Sequence, residues 1–374
     1  MHISELRVFN FRNLENSTLT FENGVNVILG KNGQGKTNII EAIDLLSLTK
    51  SFRTSENLDL IKWNETATSV FAQLSNSFGD EEIGVSIEPK RKTLFVNGNK
   101  IKSVAEYVGR LICVAFSPSD LNLLQGPPSG RRRFIDKHIV DISPSVMGSL
   151  LTYNRALLNK NKILKVGVSN ISVLDTWNRI LATEAVKINR VRREFIEALV
   201  QSASKVQAEF CPGDGALSML LKSNLGDGEL TEDSVYAEFE KYRVREIHAG
   251  MSLLGPHRDD LIIEIGGKDA KAFASQGQSR SIVLALTLGV IELLEEKRGE
   301  SPLVLLDDVN SELDLKRSDA FFDLVLKQKR QIFITGTDAS VGHLHSRLGY
   351  SVLTVENGRV SLEDSSVEHK IAAN

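Results

Sequence analysis

The sequence lacks the residue patterns that mark secreted and membrane proteins. Its 374 residues include only two cysteines, Cys113 and Cys211, too few for a disulfide scaffold, which favours a reducing compartment. No uncharged apolar run approaches the roughly 20 residues that a membrane-spanning helix needs. The first residues alternate polar and apolar side chains, which predicts a strand rather than a signal peptide. We therefore expect a cytoplasmic protein that has no membrane partner.

The sequence also lacks a large net charge of either sign. Its 45 Lys and Arg residues face 48 Asp and Glu residues, and the formal net charge is −3. A nucleic-acid surface would therefore have to be a local concentration of basic residues. The apolar fraction of 41% is enough for a core and excludes a disordered chain, and the length fits two or three domains.

The spacing of apolar residues predicts an α/β fold near the N-terminus. The predicted strands cover residues 3–11, 17–21 and 25–29. The helix that follows them carries apolar residues at spacings of three and four: Ile39, Ile40, Ile43 and Leu46. Further along, Asn97-Gly98 is typical of a tight hairpin turn between two strands.

A helical insertion is predicted in the middle of the chain. Ser143-Pro144 is typical of a helix start, and that helix is expected to run to about residue 165. A second helix, over about residues 173–211, carries one apolar stripe of the kind found on a straight amphipathic helix. Residues 1–130 and 250–374 are predicted to form the two halves of one domain, called the head, and residues 131–249 a helical arm inserted between them. A polar tail is expected after Asn357.

A glycine-rich segment between a predicted strand and a predicted helix matches the phosphate-loop pattern G-x-x-x-x-G-K-[S/T]. It consists of Gly30, Lys31, Asn32, Gly33, Gln34, Gly35, Lys36 and Thr37. The glycines let backbone N–H groups surround phosphate oxygens, and the helix N-terminus adds positive potential. Lys36 is predicted to reach the β- and γ-phosphates of ATP, and Thr37 to bind Mg²⁺. The alternative is a glycine-rich turn that binds nothing.

Two adjacent acids end a second apolar strand, which is predicted over residues 303–306. A phosphate loop needs a carboxylate for its metal on a neighbouring strand, so Asp307 is predicted to hold Mg²⁺ through water. Asp308 is predicted to orient the attacking water. Without a cation or solvent the two carboxylates would repel each other, which weakens a purely structural interpretation. The polar turn after them contains Asp314, a candidate for a contact between subunits.

A second anion site is predicted at the start of the helix over residues 279–298. Ser275, Gln276, Gly277 and Gln278 precede that helix, where a hydroxyl and free N–H groups would point outward. Taken alone, Ser275 is a helix cap. Together with the phosphate loop and the acidic strand, the segment predicts that two heads face each other and enclose two ATP molecules, with each site completed by a second copy.

These segments together resemble the ATPase heads of ABC type and, among them, the RecF family. The resemblance runs from residue 10 to 338, and its most specific parts are residues 255–261 and 273–278. The other matching segments are 10–13, the phosphate loop, 50–53, 118–136 and 305–314. The sequence departs from the family pattern at Ser119, where an acid is usual, and has Thr335 where ABC ATPases carry a switch histidine, which indicates slow turnover.

The resemblance implies an ABC-type P-loop ATPase head with an inserted, mainly helical arm. It implies an ATP-dependent DNA-binding protein of recombinational repair and replication maintenance, which dimerises with ATP and acts with RecO and RecR in loading RecA. Lys36, Asp307 and Asp308 are the catalytic candidates. Arg12 either approaches ATP or belongs to a surface strand, and His257 with Arg258 either senses the nucleotide or pins a turn.

A local excess of basic residues is predicted to contact DNA phosphates without reading the base sequence. The candidate contacts are Arg131, Arg132, Lys160, Lys162, Arg190, Arg192 and Arg193. No aromatic series accompanies them, so duplex or gap-junction DNA is favoured over single strands. The alternative for each residue is a solvated helix face on which long side chains cover apolar stripes.

Two functions from other classes share part of this pattern. The nucleotide-binding subunit of a transporter carries the same three motifs, but the large helical insertion and the ASQGQ signature disfavour it. A non-catalytic, nucleotide-gated scaffold that only recruits RecR would keep the ATP site without hydrolysis. DNA binding discriminates against the first, and DNA-stimulated hydrolysis discriminates against the second.

Overall fold

The computed structural model describes residues 1–54, 56–167, 171–210, 213, 215–226, 228–309, 315–337 and 350–362. Cys211 and Asp314, both singled out from the sequence, lie outside these residues. The chain folds into two compact units. Unit 1 comprises residues 1–120 with the chain from 294 onward, and unit 2 comprises residues 121–293. The three-part division with boundaries at 130 and 249 stays a prediction.

The strands, in chain order, are β1 His2–Phe9, β2 Ser17–Thr20, β3 Val25–Leu29, β4 Thr68–Asn76, β5 Gly79–Glu88, β6 Arg91–Val96, β7 Asn99–Ile101, β8 Cys113–Phe116, β9 Leu217–Lys222, β10 Asp260–Ile265, β11 Lys268–Asp269, β12 Leu303–Asp307, β13 Ile332–Gly336, β14 Tyr350–Glu356 and β15 Arg359–Leu362. The three strands predicted before residue 30 are confirmed as β1 to β3. Strand β15 lies in the segment where the sequence indicates only a polar tail, and the end of that tail is outside the described residues.

The α-helices, in chain order, are α1 Lys36–Leu48, α2 Val104–Tyr107, α3 Asn122–Gln125, α4 Pro128–Ile142, α5 Val146–Val166, α6 Ile171–Phe210, α7 Glu232–Ala249, α8 Ala270–Phe273, α9 Gln276–Arg298 and α10 Leu315–Leu326. Short 3₁₀ helices cover Asn57–Leu60, Pro118–Leu121 and Pro256–Arg258.

Among the described residues, unit 1 contains two six-stranded sheets. The first is antiparallel, in the order β2-β1-β4-β5-β6-β7, and its last hairpin turns at Asn97-Gly98 as predicted. The second has the order β15-β14-β3-β13-β12-β8, and it is parallel except for the β14–β15 pair. All five residues of β3, of β12 and of β13 are buried, which explains why these strands are mostly apolar, with Asn26, Asp307 and Thr335 as buried polar exceptions.

The core of unit 1 is built around helix α1. Its apolar residues Ile39, Ile40 and Ile43 have no exposed surface and join one cluster with side chains from both sheets. Phe333 of β13 belongs to that cluster and packs edge-on against Phe21, with ring centroids 4.8 Å apart. This packing holds the start of α1, and therefore the loop before it, at the carboxyl edge of the parallel sheet.

Unit 2 contains the predicted helical arm, with a correction at its start. Helices α5 and α6 pack together, and the predicted stripe on α6 is confirmed because Leu181, Ala185 and Ile188 are buried. Ser143, however, ends α4 instead of capping α5, since its N–H donates to Ile139 O at 2.7 Å. The sequence reading missed α4, whose first residue is a proline, and it placed the start of α5 too early.

Helix α9 is long and apolar enough, by length and composition alone, to cross a membrane. Its most apolar 18-residue window has a mean hydropathy of 1.3, and 78% of that window is buried inside the protein. Burial of this extent is typical of a core helix, which passes the same test.

Candidate nucleotide-binding site

The glycine-rich segment forms a loop between β3 and α1, as its pattern predicts. Gly33 and Gly35 have φ angles of 80° and 121°, in the region that favours glycine. At Gly35 space is also limiting, because an added Cβ would lie 2.9 Å from Asn13 Oδ1. The loop thus combines a backbone that needs glycine with a helix that begins at Lys36, which is the local geometry of a phosphate-binding site.

Lys36 is folded back over this loop. Its side chain is 7% exposed, and Nζ donates to Gly30 O at 2.6 Å and to Lys31 O at 3.2 Å. The ammonium group therefore lies inside the curve of the loop, where a phosphate oxygen would compete for it with two neutral carbonyls. A hydrogen bond from the ammonium group to a charged phosphate oxygen is stronger than one to a neutral carbonyl oxygen.

Thr37 and Asp307 meet although 270 residues separate them in the chain. The Thr37 hydroxyl donates to Asp307 Oδ1 at 2.9 Å, and Asp307 is 7% exposed. A hydroxyl and a carboxylate converging at the carboxyl ends of buried strands are hard oxygen donors of the kind that Mg²⁺ prefers. The residues present therefore fit the metal that the sequence predicts, and the roles of Thr37 as a direct ligand and of Asp307 as a ligand through water stay predictions.

Thr335 links the two acids of the site. Strand β13 lies between β3 and β12, so Thr335 pairs with Asp307 on one side and with Ile28 on the other. Its hydroxyl donates to Asp307 Oδ1 at 2.6 Å and accepts from Asp308 N at 3.0 Å. The hydroxyl that replaces the switch histidine therefore fixes both residues that follow the apolar part of β12.

Asp308 itself adopts a backbone conformation that is uncommon outside glycine. Its φ is 50°, and its side chain is half-buried. This left-handed residue turns the chain sharply after β12, which keeps two consecutive acids near one edge of the sheet. Its role in aligning water stays a prediction, as does the assignment of Lys36 and Asp307 to catalysis.

Asp120 is a further acid near this edge that the sequence reading did not identify. It follows β8, the neighbour of β12, and its Oδ2 accepts from Ser117 N at 2.6 Å and from Ser117 Oγ at 3.1 Å. Burial raises the pKa of Asp120 to about 6, and the negative charge of Asp307 also raises it. The two hydrogen bonds from Ser117 act in the opposite direction and lower this pKa. The only local signal was a polar segment directly after a predicted strand.

Arg12 is held at the side of α1 by an ion pair with Glu41. Its Nε and Nη2 donate to the two oxygens of Glu41 at 2.9 and 2.7 Å, and Glu41 has no exposed surface. Arg53 shares this carboxylate at 3.3 Å and also donates to Asn38 Oδ1. The structure therefore gives Arg12 a structural partner, and contact with ATP stays a prediction.

Asn13 connects this network to the phosphate loop. It lies in the matching segment 10–13, but the sequence assigned it no role. Its Oδ1 accepts from Asn38 Nδ2 at 2.6 Å, while its Nδ2 lies 3.4 Å from Gly33 O and 3.3 Å from Gln34 O. Asn13 and Asn38 therefore join Glu41 as residues that the sequence reading missed in this site.

The predicted signature segment lies in unit 2 at the start of α9. Ser275 N donates to Gln278 Oε1 at 3.1 Å, and Gln278 N donates to Ser275 Oγ at 3.2 Å. This reciprocal pair is the capping box of a helix start. Ser275 and Gln276 are both exposed, so the serine caps the helix at a position that solvent reaches. The predicted role of this segment, which is to bind the ATP held by a second copy of the protein, stays a prediction.

The predicted DNA-contacting residues of unit 2 divide by burial. Lys160, Arg131 and Arg192 are 0%, 4% and 3% exposed and take part in internal ion pairs. Arg131 pairs with Asp260 at 2.7 Å, and Lys160 pairs with Glu246 at 2.7 Å. These three basic side chains neutralise acidic side chains of the same unit, so they face inward.

His257 and Arg258, whose role the sequence left undecided, lie in a short 3₁₀ helix that Arg192 contacts. Arg192 donates to Asp136, to Asp259 Oδ2 at 3.0 Å and to Pro256 O at 2.8 Å. His257 Nδ1 is 2.7 Å from Tyr153 Oη, and burial lowers the pKa of His257 to about 4. Arg258 donates to Ser252 O at 3.0 Å. These contacts favour the turn-pinning interpretation of the two residues.

The remaining candidates are more accessible. Arg190 is exposed, while Arg132, Lys162 and Arg193 are exposed or half-buried at the surface. Arg132 donates to Asp259 O at 2.6 Å, and Arg193 Nε donates to Asn189 Oδ1 at 2.8 Å. Lys162 and Arg190 therefore present their charges to solvent most directly.

Comparison with known proteins identifies the family. The family model for the RecF/RecN/SMC N-terminal domain matches residues 2–360. The DNA replication and repair protein RecF of Geobacillus thermodenitrificans is 39% identical over 346 residues, which are 90% of this chain and 93% of that protein. RecF of Bacillus cytotoxicus is 35% identical over 97% of this chain and 99% of its own length.

Solved structures agree with this assignment. The recombination mediator protein RecF with ATP in the RecFOR pathway is 34% identical and superposes with a TM-score of 0.88 over 97% of each chain. An Smc head bound to the C-winged helix domain of ScpA shares the fold at 19% identity, with a TM-score of 0.56 over 98% of each chain. The predicted fold class, an ABC-type ATPase head with a helical arm, is thus confirmed, and the chain belongs to the RecF family of DNA replication and repair proteins.

Proposed function

We propose that this protein is an ATP-dependent DNA-binding protein of recombinational repair and replication maintenance. In this proposal, ATP closes two copies into a dimer that clamps duplex or gap-junction DNA, and slow hydrolysis reopens it. The observation that carries the proposal is the contact between Thr37 and Asp307, which assembles a phosphate loop and an acid-ended strand into one site. The capped helix start at Ser275, which solvent reaches, supports the dimer.

The residues of the site suit a sequence of binding and release. Lys36 and the N–H groups of the loop bind the phosphates, and Lys36 exchanges its two carbonyl acceptors for phosphate oxygens. Thr37 and Asp307 would hold Mg²⁺, which would neutralise phosphate charge. Asp308 aligns a water molecule for attack on the γ-phosphate, and Thr335 keeps both acids in place.

The partners follow from the same assignment. The related ATP-bound structure is described as part of the RecFOR pathway, and its likeness to this chain supports RecO and RecR as partners in loading RecA. We assign the protein to the cytoplasm, where chromosomal gaps occur. For DNA we assign Lys162 and Arg190 as direct phosphate contacts, because solvent reaches their charged groups.

Light scattering with ATP, with ADP and without nucleotide tests the dimer. We expect a dimer with ATP alone in the wild type and in Lys90→Ala, a change of an exposed lysine outside the site. Lys36→Ala should abolish ATP binding, Ser275→Arg should bind ATP but stay monomeric, and Asp308→Asn should remain dimeric for longer. An oligomeric state that is independent of ATP in the wild type would refute the proposal.

DNA binding over a salt series tests the rest of the proposal. The slope of affinity against salt counts the phosphates that are neutralised, and its dependence on ATP reports the coupling between the two ligands. Failure to bind DNA at low salt would instead support a transporter-type subunit. Hydrolysis no faster than in Asp308→Asn would support a nucleotide-gated scaffold.

A further inference from the structure

The phosphate loop is flanked by a turn from the far end of the sequence. Strand β14 runs parallel to β3, in a register that pairs Thr354 with Leu29, the residue before the loop. The chain that leaves β14 therefore arrives at the edge where the loop begins. Contact is close enough that a Cβ added to Gly30 would overlap Val355 O, so glycine is required there for space.

The turn between β14 and β15 is hydrogen bonded to the loop. Gly358 N donates to Gln34 O at 2.9 Å, and Asn357 N donates to the Gln34 side-chain oxygen. From the other side, Glu15 N donates to Gly358 O at 2.9 Å. Gly358 is thus buried between the segment that follows Asn13 and the phosphate loop.

These bonds determine which way the loop peptides point. In a trans peptide the C=O of one residue and the N–H of the next lie on opposite sides of the plane. Gly358 N and Asn13 Nδ2 both approach Gln34 O, at 2.9 and 3.3 Å, and hold this carbonyl toward the turn. The N–H of Gly35 therefore points away from the turn, toward the inside of the loop where phosphate oxygens would bind.

We propose that the turn formed by residues 356–359 is a positioning element of the nucleotide site, with Gly358 as its central residue. It holds the outer carbonyl of Gln34 so that the loop N–H groups converge before ATP arrives. Preorganisation of this kind lowers the ordering cost of binding. The inference rests on the proposed ATP-binding function and adds to it a part of the chain more than 300 residues from the loop.

The chain contains a matched control for this turn. Asn97-Gly98 closes the β6–β7 hairpin with φ angles of 49° and 73°, and Asn357-Gly358 has φ angles of 49° and 83°. A Cβ added at Gly98 meets nothing within 4 Å, whereas one added at Gly358 would overlap Asn13 O. Alanine therefore strains both turns alike, and only at 358 does it push the turn away from the loop.

The test compares Gly358→Ala with Gly98→Ala. ATP dissociation constants are measured with a fluorescent ATP analogue at a temperature where melting curves show both variants folded. We expect Gly358→Ala to raise the dissociation constant about tenfold or more, as a small misplacement of binding groups can do. Gly98→Ala should stay within about twofold of the wild type, although both variants melt at lower temperature.

Equal ATP affinity in the two folded variants would overturn the inference while leaving the proposed function intact. Absence of ATP binding by the wild type would overturn the proposed function itself. If Gly358→Ala does not fold, Gln34→Met takes its place, because it removes the side-chain acceptor of Asn357 N and leaves the backbone unstrained. Weakened ATP binding by folded Gln34→Met supports the inference, and unchanged binding overturns it.

Discussion

The Thr37 hydroxyl donates a hydrogen bond to Asp307 Oδ1 at 2.9 Å, across 270 residues of sequence. This contact joins the end of the phosphate loop to the end of β12. Neither residue can perform its predicted role alone, because a metal site needs both oxygens at one place. The contact exists because β13 separates β3 from β12 by a single strand, which sets the spacing between the two strand ends.

Replacement of Thr335 tests the link between the two acids. Thr335→Val keeps the shape of the side chain but removes the hydroxyl that bonds to Asp307 and Asp308. We expect ATP hydrolysis to fall about 10- to 100-fold, as is common when a group that orients a metal-binding residue is lost. Single-turnover hydrolysis and equilibrium ATP binding are the measurements, and Thr335→Ser is the matched control that keeps the hydroxyl. Equal rates in the valine and serine variants would contradict this role.

The Lys160–Glu246 pair predicts a large effect on stability. Both side chains are 0% exposed, and Glu246 Oε1 also accepts from Ser252 Oγ and Leu253 N. Lys160→Met leaves a buried carboxylate without its cation, so we expect a loss of about 3–5 kcal/mol in the free energy of unfolding. Urea unfolding measures it.

The exposed pair Lys241–Glu238 is the control for that measurement. Its side chains are 67% and 35% exposed, so Lys241→Met should cost less than about 1 kcal/mol. The double variant Lys160→Met, Glu246→Gln should recover part of the loss, because no unpaired charge then remains buried. A Lys160→Met protein as stable as Lys241→Met would rule out a structural role for the buried pair.

His257 makes unfolding depend on pH. Burial lowers the pKa of His257 to about 4, below its ordinary value near 6.5. Between these values the unfolded chain binds the proton and the folded protein does not, so stability is complete above pH 6.5 and falls as pH decreases toward 4. The loss is up to about 3 kcal/mol for this group.

Denaturant unfolding at several pH values checks this expectation. His257→Gln should show a shallower loss of stability between pH 6.5 and 4.5 than the wild type. Asp120, whose raised pKa acts in the opposite direction, contributes equally to both proteins and cancels in the comparison. Parallel curves would show that His257 does not carry the acid sensitivity.

Exposure predicts which basic residues affect DNA binding. Lys162→Ala and Arg190→Ala should each weaken DNA binding at all sequences and lower the salt slope by about one. Arg192→Ala should act differently, because Arg192 bridges Asp136 and Asp259 inside unit 2, so its loss should lower the melting temperature first. Salt-dependent binding combined with melting curves separates the two effects. An unchanged salt slope for both exposed variants would remove these residues from the DNA surface.

The sequence predicted local elements correctly where short segments encode them. The phosphate loop, the acid-ended strand and the apolar stripe of α6 are local patterns, and each lies in the structure on the element that was expected. The sequence did not distinguish the buried Lys160 and Arg192 from the accessible Lys162, because the number of charges does not show which acidic side chain packs against each basic one. It also missed β15, a four-residue strand whose residues are exposed or half-buried and carry no apolar run.

By itself, the sequence determined the residues of the loop, because glycine spacing and apolar periodicity act over a few residues. The family and the fold class followed from the resemblance of several short segments to RecF proteins. Tertiary structure alone decided which distant groups complete the site: Thr335 beside Asp307, Asn13 and Gly358 beside Gln34. These partners come from strand order and register. Both depend on how the whole sheet packs, and no local spacing in the chain encodes them.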